Sequence, residues 1–419
     1  MNCLTSKELR RMKTVPDIRF KGFEEDEWKK KQIGEIGYTY SGLTGKTKSD
    51  FGIGDCLYIT FLNVLNNAII NSSILEKVNV CIDEKQNKVC KGDILFNTSS
   101  ETPEELGMCA AVDEELIDVY LNSFCFGLRI TDKEIDSLFF AYLMRSDIGR
   151  NIMKFLAQGA TRYNLSKNNF YKTKLLLPET KAEQYQIASY FRQLDIQISE
   201  QEKRIVKLKQ LKSASLISMF PQQGETVPRV RFKGFDGEWN EQKAEVIFRQ
   251  FIEKNRPDLP VLSATQDRGM VTRKAIGYDI SHDKRNECTY KHILPGQFVI
   301  HLRSFQGGFA HSDIEGIASP AYTVFEFRDK NQHNDIFWKY IFSSKSFIKQ
   351  LEKITYGIRD GRSISFDEFK DMKFIIPCVK EQHQIASYFR QLDIQISEQE
   401  KRLEKLKQIK AACLDKMFV

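Results

Sequence analysis

Apolar side chains fall at Ile187, Phe191, Leu194, Ile198, Ile205 and Leu208, in steps of four, three, four, seven and three. Only Gln201 interrupts the seam. A 4-3 alternation gathers apolar residues on one narrow stripe of a helix, which is the pattern of a coiled coil. No Gly or Pro lies inside the stretch, and Pro221 and Gly224 follow it as stop signals. The spacing predicts a helix over 183–220, 38 residues long, or about 57 Å. The same stripe returns at Ile385, Phe389, Leu392, Ile396, Leu403 and Leu406, interrupted by Gln399. Gln201 and Gln399 read either as buried polar residues that select register or as exposed seam positions.

The two stripes belong to a repeat. Residues 183–204 and 381–402 differ only at Tyr185 against His383. Similarity continues through Lys207-Leu208-Lys209-Gln210 against Lys405-Leu406-Lys407-Gln408 and ends at Met219-Phe220 against Met417-Phe418. Upstream, Phe139-Phe140-Ala141-Tyr142 aligns with Phe337-Trp338-Lys339-Tyr340, and Gly159 with Gly357, 198 positions apart. Each half also opens alike: Val15-Pro16…Arg19-Phe20-Lys21-Gly22-Phe23 before Trp28, and Val227-Pro228…Arg231-Phe232-Lys233-Gly234-Phe235 before Trp239. Between these blocks the halves diverge. The organisation is variable domain (1–182), constant segment (183–225), variable domain (226–380), constant segment (381–419). Two near-identical segments present one surface twice, whereas two divergent domains can each bind something different. Recent duplication alone would have left the domains similar too. The two predicted helices have matching seams, and they are expected to pair antiparallel, with the globular domains at opposite ends.

Within the variable domains, Tyr58–Leu65, Gly92–Phe96, Gln297–Leu302 and Ala321–Phe327 read as strands. Helical periodicity appears at Ile135–Met144, Ile148–Ala157, Ile336–Ile341 and Phe347–Ile354. The expected fold class is α+β.

Composition changes this picture little. The chain has 419 residues, enough for two or three domains. Its longest wholly apolar run, Leu138–Met144, is far shorter than the ~20 residues of a membrane span. Residues 1–15 are basic without a following apolar stretch and are not expected to be a secretory signal. Nine scattered cysteines are an odd number without metal-knuckle spacing, so reduced thiols in a cytoplasmic protein are expected. The net charge of +7 permits a nucleic-acid partner. Residues 1–182 carry 25 basic and 25 acidic side chains, so a DNA-binding surface there must come from arrangement rather than bulk charge.

Catalytic motifs are missing. Gly42-Leu43-Thr44-Gly45-Lys46-Thr47 resembles a phosphate loop, but its first required glycine is Tyr40. A basic, hydroxyl-bearing loop of Lys46, Thr47 and Lys48 suits a DNA phosphate better. All six histidines follow residue 281 without metal spacing, so they are expected to be structural or on the surface. No Gly-x-Ser-x-Gly elbow and no Asn-Pro-Pro-Tyr type tetrapeptide is present. Candidate DNA-reading loops follow strands or matched glycines. These are Asn97, Thr98 and Ser99; Arg162, Tyr163 and Asn164; Arg303, Ser304 and Gln306; and Arg359 and Arg362. Such side chains pair with base edges and phosphates, though Arg and Gly are also ordinary turn residues.

The doubled segment Gln184-x-x-Ile187-Ala188-x-x-Phe191-x-x-Leu194-Asp195-x-x-Ile198 resembles the conserved helical region of type I restriction–modification specificity subunits. The paired openings, and the stretches 302–308 and 356–363, resemble that family as well, so the likeness spans essentially the whole chain. The resemblance implies two globular α/β target-recognition domains joined by two long antiparallel coiled-coil helices, related by a pseudo-twofold internal repeat. It implies that each domain reads one half of a split, asymmetric double-stranded DNA sequence. The helices would set the spacer and dock two modification (adenine methyltransferase) subunits, with restriction subunits completing the complex. It implies no catalytic residue, metal or cofactor in this chain, with S-adenosylmethionine, ATP and magnesium on the partners. A nuclease or methyltransferase within the chain, and a coiled-coil scaffold without nucleic acid, are the rival readings.

Overall fold

Two helices of equal length, Lys181–Ser218 and Val379–Lys416, carry the two copies of the repeated stripe. The computed structural model describes residues 14–159, 161–222, 224–265, 268–276, 284–301, 308–355 and 364–419. The first helix ends before Met219 and Phe220, which the stripe had placed inside it. Both are buried in an aromatic core just past the helix end, where Met219 N still donates to Ser215 O. The chain divides into two units, Met1–Glu202 with Arg402–Val419, and Lys203–Lys401. Each unit thus takes the N-terminal part of one long helix and the C-terminal part of the other.

In the first unit the central sheet is antiparallel, in the order Gly37–Ser41, Cys125–Ile130, Ile94–Asn97, Cys109–Ala111. The helix Ser137–Arg145 packs on this layer. Asp136 caps its start by accepting from Phe139 N, and residues 138–144 are all buried, so the helix is apolar on every side. Ser146 likewise caps Asp147–Leu156. The core continues into the long helices through Ile187, Phe191 and Leu194 of the first and Met417 and Phe418 at the end of the second. Phe418 stacks on Phe191 with ring centroids 5.7 Å apart. Asp195 pairs with Lys410 and Glu202 with Lys407, so residue numbers rise along one helix as they fall along the other. The helices pair antiparallel, as their seams predict.

The second unit repeats this plan. Its sheet runs Phe248–Gln250, Thr323–Phe327, Phe298–Ile300, Phe309–His311, again antiparallel. Asn240–Lys243 pairs with Lys373–Ile376, as Lys29–Gln32 pairs with Lys174–Leu177. Helices Asp335–Phe342 and Lys345–Thr355 occupy the places of 137–145 and 147–156. Ile385, Phe389 and Leu392 meet Met219 and Phe220 in one core. Asp393–Lys212 and Glu400–Lys209 give the same antiparallel register.

Most seam positions are buried, namely Ile187, Phe191, Leu194, Ile205, Ile385, Phe389, Leu392 and Ile396, while Ile198, Leu208, Leu403 and Leu406 are half-buried. Gln201 is buried and Gln399 half-buried, so neither is an exposed seam position.

One expected strand is corrected. Tyr58–Leu65 reads as a single strand, but the strand Phe51–Ile59 ends and Phe61–Asn66 is helical. Thr60 accepts a hydrogen bond from Asn63 N and starts the turn. Arg145 donates to the carbonyls of Val64, Leu65 and Asn67 and satisfies the other end. A β-like composition loses here to caps at both ends.

Candidate nucleic-acid interface

The strand Ile94–Asn97 leads directly into a small sheet where most of the first unit's candidate residues meet. Ser99–Ser100 pairs with Tyr163–Leu165, which pairs in turn with Ala157–Gln158. Thr98 N donates to Phe124 O, and Leu165 N donates to Thr98 O, each at 2.9 Å. Gly159 closes the turn before Arg162. Its φ is +120°, and a Cβ there would lie 2.2 Å from Arg162 O, so only glycine fits.

The product of this geometry is a cationic and aromatic surface. The exposed Arg162 guanidinium lies 5.7 Å from the Phe124 ring centroid, and its Nη2 donates to Ser99 Oγ at 3.3 Å. Phe124 is itself 56% exposed. Asn164 is exposed beside it and Tyr163 is half-buried. A guanidinium on an aromatic face, with one nitrogen on Ser99, still has further N–H donors to offer a guanine edge, and an exposed ring suits a thymine methyl. Asn97 is fully buried. Its Nδ2 holds Glu105 O, while its Oδ1 has no hydrogen-bond partner among the described residues. Sequence reasoning missed Phe124. The available signal was a lone aromatic in the turn Asn122-Ser123-Phe124 between two strands.

The loop 42–50 is less available than its composition suggests. Lys46 is 5% exposed and bonded to Glu84 at 2.5 Å. Burial opposes the charge on Lys46 most strongly of any single cause, but the hydrogen bond to Glu84 together with the charges of Glu84 and Asp50 raises the amine's pKa. The same bond is the main cause holding Glu84 down to about 2. Thr47 closes a capping box with Asp50. Lys46 is therefore engaged inside the protein and the exposed Thr47 is tied to Asp50, whereas Lys48 is exposed.

In the second unit, Arg303, Ser304, Gln306, Arg359 and Arg362 lie outside the described residues, as do the stretches 302–307 and 356–363. The histidines nearby are built into the domain. His292 Nε2 meets Glu315 at 2.9 Å and His311 Nε2 meets Asp335 at 2.8 Å, both rings being buried. Burial is the largest influence on Asp335 and opposes its charge, but the His311 hydrogen bond and attraction together with two backbone hydrogen bonds pull it below the usual carboxylate range. Among the described residues no cluster of three His, Cys, Asp or Glu could hold a metal ion. No described helix is long and apolar enough to cross a membrane.

The family model described as "type I restriction modification DNA specificity domain" matches the chain twice, over residues 25–210 and 242–408. No curated relative matches it. Among solved structures, the chain is similar to the type I restriction–modification S subunit from M. genitalium, with 15% identity and a TM-score of 0.58. That match covers 97% of this chain and 99% of that one. It is similar also to a chain from a structure titled as the basis of complex assembly and conformational transition of the type I R-M system. There the identity is 16% and the TM-score 0.50, over 92% and 96% of the two chains. At such identities the likeness is one of fold.

Proposed function

The chain belongs to the type I restriction modification DNA specificity family, and on that footing we propose that it is the sequence-reading subunit of a restriction–modification complex. It reads a bipartite, asymmetric DNA site, one half with each domain. The observation that carries this reading is the doubled specificity domain, two copies of one sheet-and-helix plan whose sequences diverge between the repeated blocks. In the first copy the reading surface is Arg162 over Phe124, with Thr98, Tyr163 and Asn164 around it and Lys48 as a phosphate contact, while Ser99, being buried, holds Arg162 rather than meeting DNA. In the second copy, Arg303, Ser304, Gln306, Arg359 and Arg362 take that role.

The repeated helices dock two modification subunits at equivalent places. Supporting this, Ile196 and Ile394, which occupy the same position of the repeat, are each 42% exposed on otherwise polar faces. The chain itself is non-catalytic. Methyl transfer from S-adenosylmethionine, and ATP- and magnesium-dependent restriction, belong to the partner subunits, and the complex works in the cytoplasm.

Methylome sequencing of cells expressing the chain with its modification partner tests the proposal. The expected result is adenine methylation at one split sequence with unlike halves, separated by about one helical turn. A continuous palindrome, or methylation unchanged when the chain is withheld, contradicts it.

A further inference from the structure

Tyr142 is fully buried on the helix Ser137–Arg145, and its hydroxyl donates to Asp195 Oδ2 at 2.8 Å. Lys410 pairs with the other oxygen of the same carboxylate, and its amine lies 5.9 Å from the Tyr142 ring centroid. The second unit holds the same triad. Tyr340 donates to Asp393 Oδ2 at 2.6 Å, Lys212 pairs with Asp393 Oδ1, and the amine lies 5.4 Å from the Tyr340 ring. Corresponding members stand 198 positions apart in sequence. In each unit a single carboxylate joins three elements, a domain helix and a stretch of each long helix.

Divergence has spared this junction selectively. Across 137–145 and 335–343, only Phe139/Phe337 and Tyr142/Tyr340 are identical. Phe139 packs on Phe418 at 5.6 Å, and Phe337 on Phe220 at 5.5 Å. Both residues kept touch the helix pair or its end. Phe–Phe packing resists separation but tolerates rocking, because dispersion is non-directional. A phenol and an ammonium on opposite oxygens of one carboxylate are directional, and charge-assisted bonds are the stiffer kind.

We propose that Tyr142–Asp195–Lys410 and Tyr340–Asp393–Lys212 are positioning clamps that fix the angle of each recognition domain on its own helix pair, so that only one spacing between half-sequences is accepted. This rests on the reading of the chain as a bipartite specificity subunit. A domain free to rock would reach half-sequences displaced by a base pair, while its base contacts stayed the same.

The test uses the full chain assembled with its modification subunits. Tyr340→Phe removes one hydroxyl and keeps the ring packed on Phe389, 4.8 Å away. Methylation rates are measured on DNAs with the cognate half-sequences and spacers from two base pairs shorter to two longer. The expected result is at least a fivefold rise in the rate at spacers off by one, relative to the cognate spacer, with base preference unchanged in both halves. An unchanged spacer profile, or an equal fall at every spacer, overturns the proposal, since a purely stabilising role would do that. Lys212→Met leaves the buried phenol in place and is read by the same outcomes should Tyr340→Phe not assemble. If the wild-type complex methylates no split sequence, the functional reading falls and this inference with it. A narrow wild-type spacer profile that neither variant widens sinks the clamps alone.

Discussion

Arg19 grips Glu183 through two hydrogen bonds, Nε to Oε1 at 2.6 Å and Nη2 to Oε2 at 2.8 Å, across 164 residues of sequence. The Glu183 side chain is wholly withdrawn from water and that of Arg19 is 8% exposed. Arg231 holds Glu381 in the same bidentate way in the second unit. The opening motif of each half is therefore a latch onto the first turns of the long helix that follows its domain. Breaking a buried pair strands one charge without water or partner, at about 3–5 kcal/mol. Arg19→Met should lower the stability of the full chain by that order in denaturant unfolding. A loss under about 1 kcal/mol, as for a surface pair, contradicts the latch.

Arg162→Ala and Phe124→Ala should weaken reading of one half-sequence and leave the other intact. A base-edge contact by Arg162 is worth roughly 1–3 kcal/mol at a single base pair. A phosphate contact would instead weaken all sequences alike and reduce the salt slope by about one. Binding of the assembled methyltransferase to single-base variants at two salt concentrations separates the two. No change in affinity, slope or preference would leave Arg162 a structural residue on Ser99.

Ile196→Asp and Ile394→Asp place charges on exposed positions, so the chain should fold normally. Each should cost one modification subunit, and the pair should cost both, because a docking face that buries an isoleucine would have to bury an unpaired carboxylate. Native mass spectrometry counts the subunits. Two bound subunits in the double variant would exclude Ile196 and Ile394 from the docking face.

Thiol chemistry should sort by burial. Burial raises Cys109 to about 11 and Cys125 to about 12, so both stay protonated and shielded at neutral pH. Cys90, Cys288 and Cys378 are exposed. Cys81 is exposed too, but its hydrogen bond with Glu84 raises its pKa, so it should react more slowly than Cys90. Maleimide labelling mapped by mass spectrometry should give rapid modification of the first three and none of Cys109 or Cys125 until unfolding. Early labelling of Cys125 would contradict the packing around it.

The long helices were legible in the sequence because their order is local. A 4-3 stripe without Gly or Pro states helix, face and partner type within forty residues, and near-identity of 183–204 with 381–402 announced the duplication. The family resemblance rested on the same residues. Local signals failed where a cap overruled composition, as at Thr60. They were also silent wherever function depends on residues far apart in sequence. Phe124 becomes part of a surface only when the turn after Gly159 brings Arg162 over it. Asp195 looks like one more polar residue of a helix until Tyr142 and Lys410, 53 and 215 positions away, arrive on its two oxygens. Met417 and Phe418 read as the end of a repeat, yet they fill the core of the unit that begins the chain. Periodicity reports which face of an element is buried, because that is set by neighbours three and four residues away. What that face is buried against, and which polar groups meet there, is decided by long-range packing, and tertiary structure alone supplies it.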